Sequence, residues 1–153
     1  MKIIPLTQGK TALVDDEMFD YLNQWKWCAH NNGGGFYALR NVRVDGKHRQ
    51  ILMHRLVASA PDGLDVDHIN HNTLDNRRGN LRVCTTSQNK MNRGIQSSNR
   101  LGVKGVTPNG SGFRAYVVVN GKHVFDKTFR TLQEAKDAYD REAKKFHGEF
   151  FHP

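Results

Sequence analysis

The sequence predicts an α+β protein built from two sets of short antiparallel strands, each followed by a helix. Strand-biased runs bounded by turn residues fill the first third: Thr11-Ala12-Leu13-Val14, Phe36–Arg40 and Arg49–Met53, with Gly33-Gly34-Gly35 and Asp45-Gly46 as turns. A second set follows late in the chain, where Phe113–Val119 returns through Asn120-Gly121, a tight-hairpin dipeptide, to His123–Phe129. Behind it, Leu132, Ala135, Ala138 or Tyr139, Glu142 or Ala143, and Phe146 recur at helical period, and Thr131 stands at capping-box spacing from Glu134.

In chain order, residues 1–53 read as a strand-rich scaffold. Asp15-Asp16-Glu17 opens a short helix or turn with Phe19, Leu22 and Trp25 on one side. Trp25 and Trp27 have two readings, core packing or stacking on bases, and aromatic residues in small domains favour the core. Residues 54–93 form the central unit. A strand reaching Val66 delivers Asp67 and His68 at its tip, the Asn70–Gly79 loop turns the chain, and Leu81–Cys84 returns as the partner strand. Thr85, Thr86 or Ser87 then caps a helix carrying Asn89 in its first turn. Residues 94–100 are a polar linker, and 101–153 a small sheet backed by one helix.

Composition excludes several classes. The 153 residues are 37% hydrophobic and 25% charged, enough for one modest domain or two small ones. No apolar run approaches membrane-spanning length, and Met1–Pro5 lacks a signal-peptide core, so a cytoplasmic protein is expected, inside a bacterial host if phage-encoded. Cys28 and Cys84 stand far apart, which supports neither a disulfide scaffold nor a zinc knuckle. The net charge of +8 points toward a polyanion. Its distribution is sharper: no acid separates Asp75 from Asp126, whereas Arg77, Arg78, Arg82, Lys90, Arg93, Arg100, Lys104, Arg114 and Lys122 all lie between them. Such a run suggests a strip that contacts phosphates.

The chemistry concentrates at Val66-Asp67-His68-Ile69-Asn70. His68 has the pKa range of a general base near neutral pH, and Asp67 offers a carboxylate suited to Mg²⁺ or Mn²⁺. Asp-His-Asn clusters also occur in plain turns, where short polar side chains bond their own backbone. The ordered set Asp67-His68, Asn80, Asn89 among arginines raises the catalytic reading.

His54–Arg93 resembles the HNH nuclease family in its phage and homing-endonuclease branch. The matching residues are His54-Arg55-Leu56-Val57, Val66–Asn70, Leu74-Asp75-Asn76-Arg77, Gly79–Val83 and Ser87-Gln88-Asn89. The resemblance implies a ββα-metal core in which Asp67 and Asn89 hold the ion, His68 is the general base and Asn80 braces the loop through its backbone. Asn89 stands at the last position of the name in place of His; an amide oxygen favours a hard ion, hence Mg²⁺ with Mn²⁺ as the alternative. His54 is either a satisfied structural histidine or a support behind the site, and His71 a loop residue or phosphate contact. Arg77, Arg78, Arg82 and Arg93 are expected on DNA phosphates, unless one of the first three merely pairs with Asp75.

Residues 101–153 resemble the plant ethylene-response-factor (APETALA-two) DNA-binding domain. Val103-Lys104-Gly105-Val106, Phe113–Val117, Thr128-Phe129, Glu134–Asp140 and Phe146-His147-Gly148 carry the likeness. It implies a sheet entering the major groove, with Lys104, Arg114 and Tyr116 toward double-stranded DNA. Strand alternation puts Phe113, Ala115 and Val117 against the helix. The plant domain's tryptophans are absent, so its base preference does not transfer.

Together these readings predict a Mg²⁺-dependent homing-type DNA endonuclease leaving 5′-phosphate and 3′-hydroxyl ends. A monomer would nick, and a homodimer or two events would cut both strands. The competing class is a DNA-binding regulator with an inactive nuclease centre, distinguished by whether Asp67, His68 and Asn89 support cleavage. An RNA-directed nuclease fits less well, because the predicted tail suits a duplex groove rather than splayed bases.

Overall fold

The computed structural model describes residues 1–96 and 98–152. It is a mixed α and β structure with small antiparallel sheets and few helices, divided into two compact units, Met1–Thr85 and Thr86–Pro153.

In the first unit, β1 (Lys2–Pro5) and β2 (Thr11–Val14) pair antiparallel and lead into α1 (Asp16–Asn23). Asp16 and Glu17 occupy the first turn of α1, where carboxylates oppose the positive end of the helix dipole, and Leu22 is fully buried. A meander follows, β3 (Cys28–Asn31), β4 (Phe36–Val44) and β5 (Lys47–Leu52), with β4 central. The short helix α2 (Met53–Val57) comes next, then the ribbon of β6 (Asp65–His68) and β7 (Leu81–Cys84).

Ile4, Ala12, Val14, Leu22, Trp27, Ala38, Met53 and Val57 form one continuous core. Trp27 belongs to it, with its indole N–H donating to the Leu22 carbonyl at 2.9 Å, so packing is its role. Trp25 is half-buried beneath the Arg40 guanidinium, 3.9 Å from the ring centroid. The loop between β6 and β7 is tied to this core by its backbone: Leu13 N donates to the Leu74 carbonyl and Asn76 N to the Leu13 carbonyl, at 2.9 and 2.8 Å. The hydrophobic core therefore positions the chain around Asp75.

The second unit holds α3 (Thr86–Asn92), β8 (Val106–Asn109), β9 (Gly112–Val119), β10 (Lys122–Phe129) and α4 (Leu132–His147). β9 is central in an antiparallel sheet. The hairpin turn uses Asn120 and Gly121 at φ 50° and 77°, the left-handed pair that matches strand twist. Thr131 and Glu134 close a full capping box at the start of α4. Ala115 and Val117 are buried beneath α4 residues Ala135, Tyr139 and Ala143, while Val118 is exposed.

Candidate active site

Along the β6–β7 ribbon, Asp67 lies opposite Arg82 and His68 opposite Leu81. Neighbouring strand residues point to opposite faces, so the carboxylate and the imidazole leave the ribbon in different directions. Arg82 Nε donates to Asp67 Oδ2 at 2.8 Å, and a second guanidinium nitrogen lies 2.7 Å from the same oxygen. Asp67 is only 6% exposed, and Arg82 supplies the opposite charge that a buried carboxylate needs beside it.

His68 is 5% exposed and sits in a group of rings, with centroids 5.2 Å from His54 and 6.0 Å from Tyr37. Its Nε2 lies 3.5 Å from Asn76 Oδ1, a long contact. Asn76 is itself fixed, donating from Nδ2 to the Leu74 carbonyl at 3.3 Å. A neutral imidazole that donates from Nε2 to that amide oxygen keeps its lone pair on Nδ1. Burial lowers the His68 pKa, while the Asn76 contact and the charges of Asp67 and Asp75 act upward. The imidazole is therefore neutral at neutral pH. Burial chiefly, with His68 and Arg55 nearby, lowers His54 to about 3. His54 thus packs as an uncharged ring behind His68.

The loop is braced from inside. Asn80 Oδ1 accepts the Asn70 N–H at 3.0 Å, and Asn80 Nδ2 donates to the Asp75 carbonyl at 2.9 Å. Asp75 is a second hub, 1% exposed, receiving Arg77 Nε at 2.7 Å and Asn70 Nδ2 at 2.9 Å. Chain reversal between Asp67-His68 and β7 is thereby locked by side chains of the loop itself. His71, at φ 63°, makes the tight turn and donates its backbone N–H to the His68 carbonyl.

The residues expected on DNA divide into two groups. Arg78 and Arg93 are exposed. Arg77 forks onto Asp75, Arg82 onto Asp67, and Arg114 onto Asp126, so these guanidiniums are engaged within the protein. Tyr116 is half-buried, with Arg114 5.6 Å from its ring and His123 5.5 Å away. Lys104, read from the sequence as facing DNA, donates from Nζ to the Met91 and His152 carbonyls at 2.7 and 2.9 Å. Asn89 is half-buried on α3, in the second unit. Asn76 and Tyr37, which stand against His68, were missed by sequence reasoning. Asn76 lay in plain view within Leu74-Asp75-Asn76-Arg77, whereas nothing local marks Tyr37.

Among the described residues no group of three His, Cys, Asp or Glu side chains forms a metal cage. The Asp67 carboxylate is an oxygen donor of the kind a hard divalent cation takes.

Residues 46–91 match the family model described as HNH endonuclease. Over 147 residues the chain is 32% identical to a protein of Acanthamoeba polyphaga mimivirus described as an uncharacterized HNH endonuclease, covering 95% of this chain and 75% of that one. No solved structure matches. The chain belongs to the HNH endonuclease family, and it is a nuclease. Enzymes of this family act on DNA and typically depend on a divalent metal. No described helix is long and apolar enough to cross a membrane.

Proposed function

We propose that this protein is a Mg²⁺-dependent DNA endonuclease of the homing type, hydrolysing phosphodiester bonds to 5′-phosphate and 3′-hydroxyl ends. The observation that carries the reading is Asp67-His68 at a strand end, with Arg82 fixing the carboxylate and Asn76 facing the imidazole, in a chain of the HNH family. His68 takes a proton from the attacking water, which adds to phosphorus as the bond to the 3′ oxygen breaks. When bound, the divalent ion supplies charge stabilisation at the scissile phosphate. Asp67 is its carboxylate ligand, and the resemblance to the HNH family supports Asn89 as the amide ligand. Asn80 keeps the loop closed, and Arg82 orients Asp67 while lowering the local negative charge.

Residues 101–153 are, on this reading, a DNA-binding module. Their three-stranded sheet backed by α4 supports it, as do Arg114 and Tyr116, which alternate along β9 with the core residues Ala115 and Val117. The test is nicking of supercoiled plasmid with Mg²⁺ or Mn²⁺ by the wild type, Asp67→Ala, His68→Ala and Asn89→Ala. Cleavage should fall at least a hundredfold in the first two variants, and more Mg²⁺ should be needed by the third. Undiminished nicking in Asp67→Ala and His68→Ala would sink the assignment.

A further inference from the structure

Within the second unit, α3, the β9–β10 hairpin and the end of α4 line a cavity of about 490 Å³ that is open on one side. His147, the last residue of α4, lines it. The residue is 7% exposed, and both of its ring nitrogens are buried without a hydrogen-bond partner. Buried polar atoms are rarely left in that state, because each has lost its hydration with nothing in return. Here both unsatisfied nitrogens belong to one side chain on a cavity wall.

The rest of the lining has a consistent character. Lys90 and Lys104 join His147 as the basic groups, and no acidic side chain is among the described residues that line the cavity. Lys104 uses two bonds on the Met91 and His152 carbonyls, and an ammonium has three donors. Asp140, an acid whose charge acts on Lys104, is paired with Lys136 at 2.6 Å. Flat and apolar surface comes from Tyr116, Tyr139 and Met91. Gly105 shapes that wall: a Cβ there would stand 2.0 Å from the Tyr139 ring, so only glycine admits the ring in this position.

A cavity of this size with cationic groups, a donor–acceptor imidazole and aromatic walls suits a ligand that is planar, hydrogen-bonding and anionic. We propose that it binds a nucleotide, with the base against the Tyr116 and Met91 side, its edge hydrogen-bonded by His147, and the phosphate held by Lys90 and Lys104. The site uses none of Asp67, His68 or Asn89, so it stands apart from the proposed catalytic residues, while it shares Tyr116 with the proposed DNA-binding module. Its occupant is either a free mononucleotide or a nucleotide turned out of a DNA strand, which share this chemistry.

The test uses the full chain without divalent metal. Deoxyadenosine 5′-monophosphate, deoxyadenosine and inorganic phosphate are titrated by calorimetry, and the imidazole nitrogens are followed by NMR. The mononucleotide should bind at least tenfold more tightly than either fragment and should shift the His147 resonances. His147→Leu should weaken it at least tenfold. Lys90→Gln, at an exposed position that leaves the fold intact, should weaken the mononucleotide severalfold and leave the nucleoside unchanged. A single-stranded oligonucleotide that displaces the mononucleotide with the same His147 shift identifies a nucleotide within a strand; failure to displace it identifies the free form. The proposal is overturned if no probe moves the His147 resonances, if His147→Leu binds as the wild type does, or if phosphate alone binds as tightly as the mononucleotide.

Discussion

Replacing Asn80 by Ala removes two hydrogen bonds that close the loop between Asp67-His68 and β7. The Asp75 carbonyl, on a residue 1% exposed, loses the 2.9 Å bond from Asn80 Nδ2. A buried carbonyl left without a donor costs about 1–3 kcal/mol. The Asn70 N–H loses its 3.0 Å acceptor, but Asn70 is exposed and water replaces part of that bond. That half contributes about 0.5–1.5 kcal/mol. Together they predict a loss of about 2–4 kcal/mol, a large share of a small unit's stability. Asn72 supplies the internal control, since its Oδ1 accepts the Leu74 N–H at 3.2 Å in an exposed setting. Asn72→Ala should cost less than about 1 kcal/mol. Both tryptophans lie in the Met1–Thr85 unit, so urea unfolding followed by their fluorescence reports on the unit that contains the loop. If Asn80→Ala and Asn72→Ala cost the same, or Asn80→Ala costs under about 0.5 kcal/mol, burial does not set the strength of the brace and the argument fails.

Arg77, through its side-chain bonds to Asp75, holds that carboxyl below the usual carboxylate range. The unfolded chain then binds the proton first, so this contribution to stability is present above about pH 4 and is lost as pH falls through the folded-state value. The stability gap between wild type and Arg77→Met should accordingly shrink on acidification; a gap constant from pH 7 to pH 2 would refute the linkage. Arg78→Ala and Arg93→Ala, at exposed positions, should each flatten the slope of log affinity against log salt by about 0.9 if each meets one phosphate. Arg82→Ala should instead raise the metal concentration required for cleavage, because it releases Asp67; an unchanged metal requirement counts against its orienting role. Gly105→Ala should destabilise the second unit by at least about 2 kcal/mol in thermal unfolding, because its φ of 65° and the Tyr139 ring both oppose a Cβ.

What the sequence made legible was largely local. Alternation in Phe113–Val119, the Asn120-Gly121 turn and the Thr131–Glu134 box each depend on residues close along the chain, and each appears in the structure. β1 and β3 escaped notice for a physical reason: Lys2–Pro5 and Cys28–Asn31 are four-residue strands without strong β-formers throughout, and their existence depends on partners across the sheet. The same limit governs the site. Asp67 and His68 are adjacent and could be read from their side chains, whereas Tyr37 reaches His68 only through the fold.

Charge shows the limit most clearly. An acid-free interval from Asp75 to Asp126 suggested arginines awaiting phosphate, yet those two border residues themselves capture Arg77 and Arg114, and Asp67 reaches in to capture Arg82. A one-dimensional run without acids does not imply a three-dimensional surface without them, because pairing distance is set by strand register: Arg82 meets Asp67 directly across a ladder, and Arg114 finds Asp126 diagonally on the next strand. Of the basic residues in that interval, Arg78, Lys90, Arg93, Arg100 and Lys122 remain exposed. The captured arginines serve the site differently, one holding the carboxylate of Asp67 and another closing the loop beneath it. Their substitution should therefore change the stability of the protein or its demand for metal, whereas substitution of the exposed set should change its sensitivity to salt.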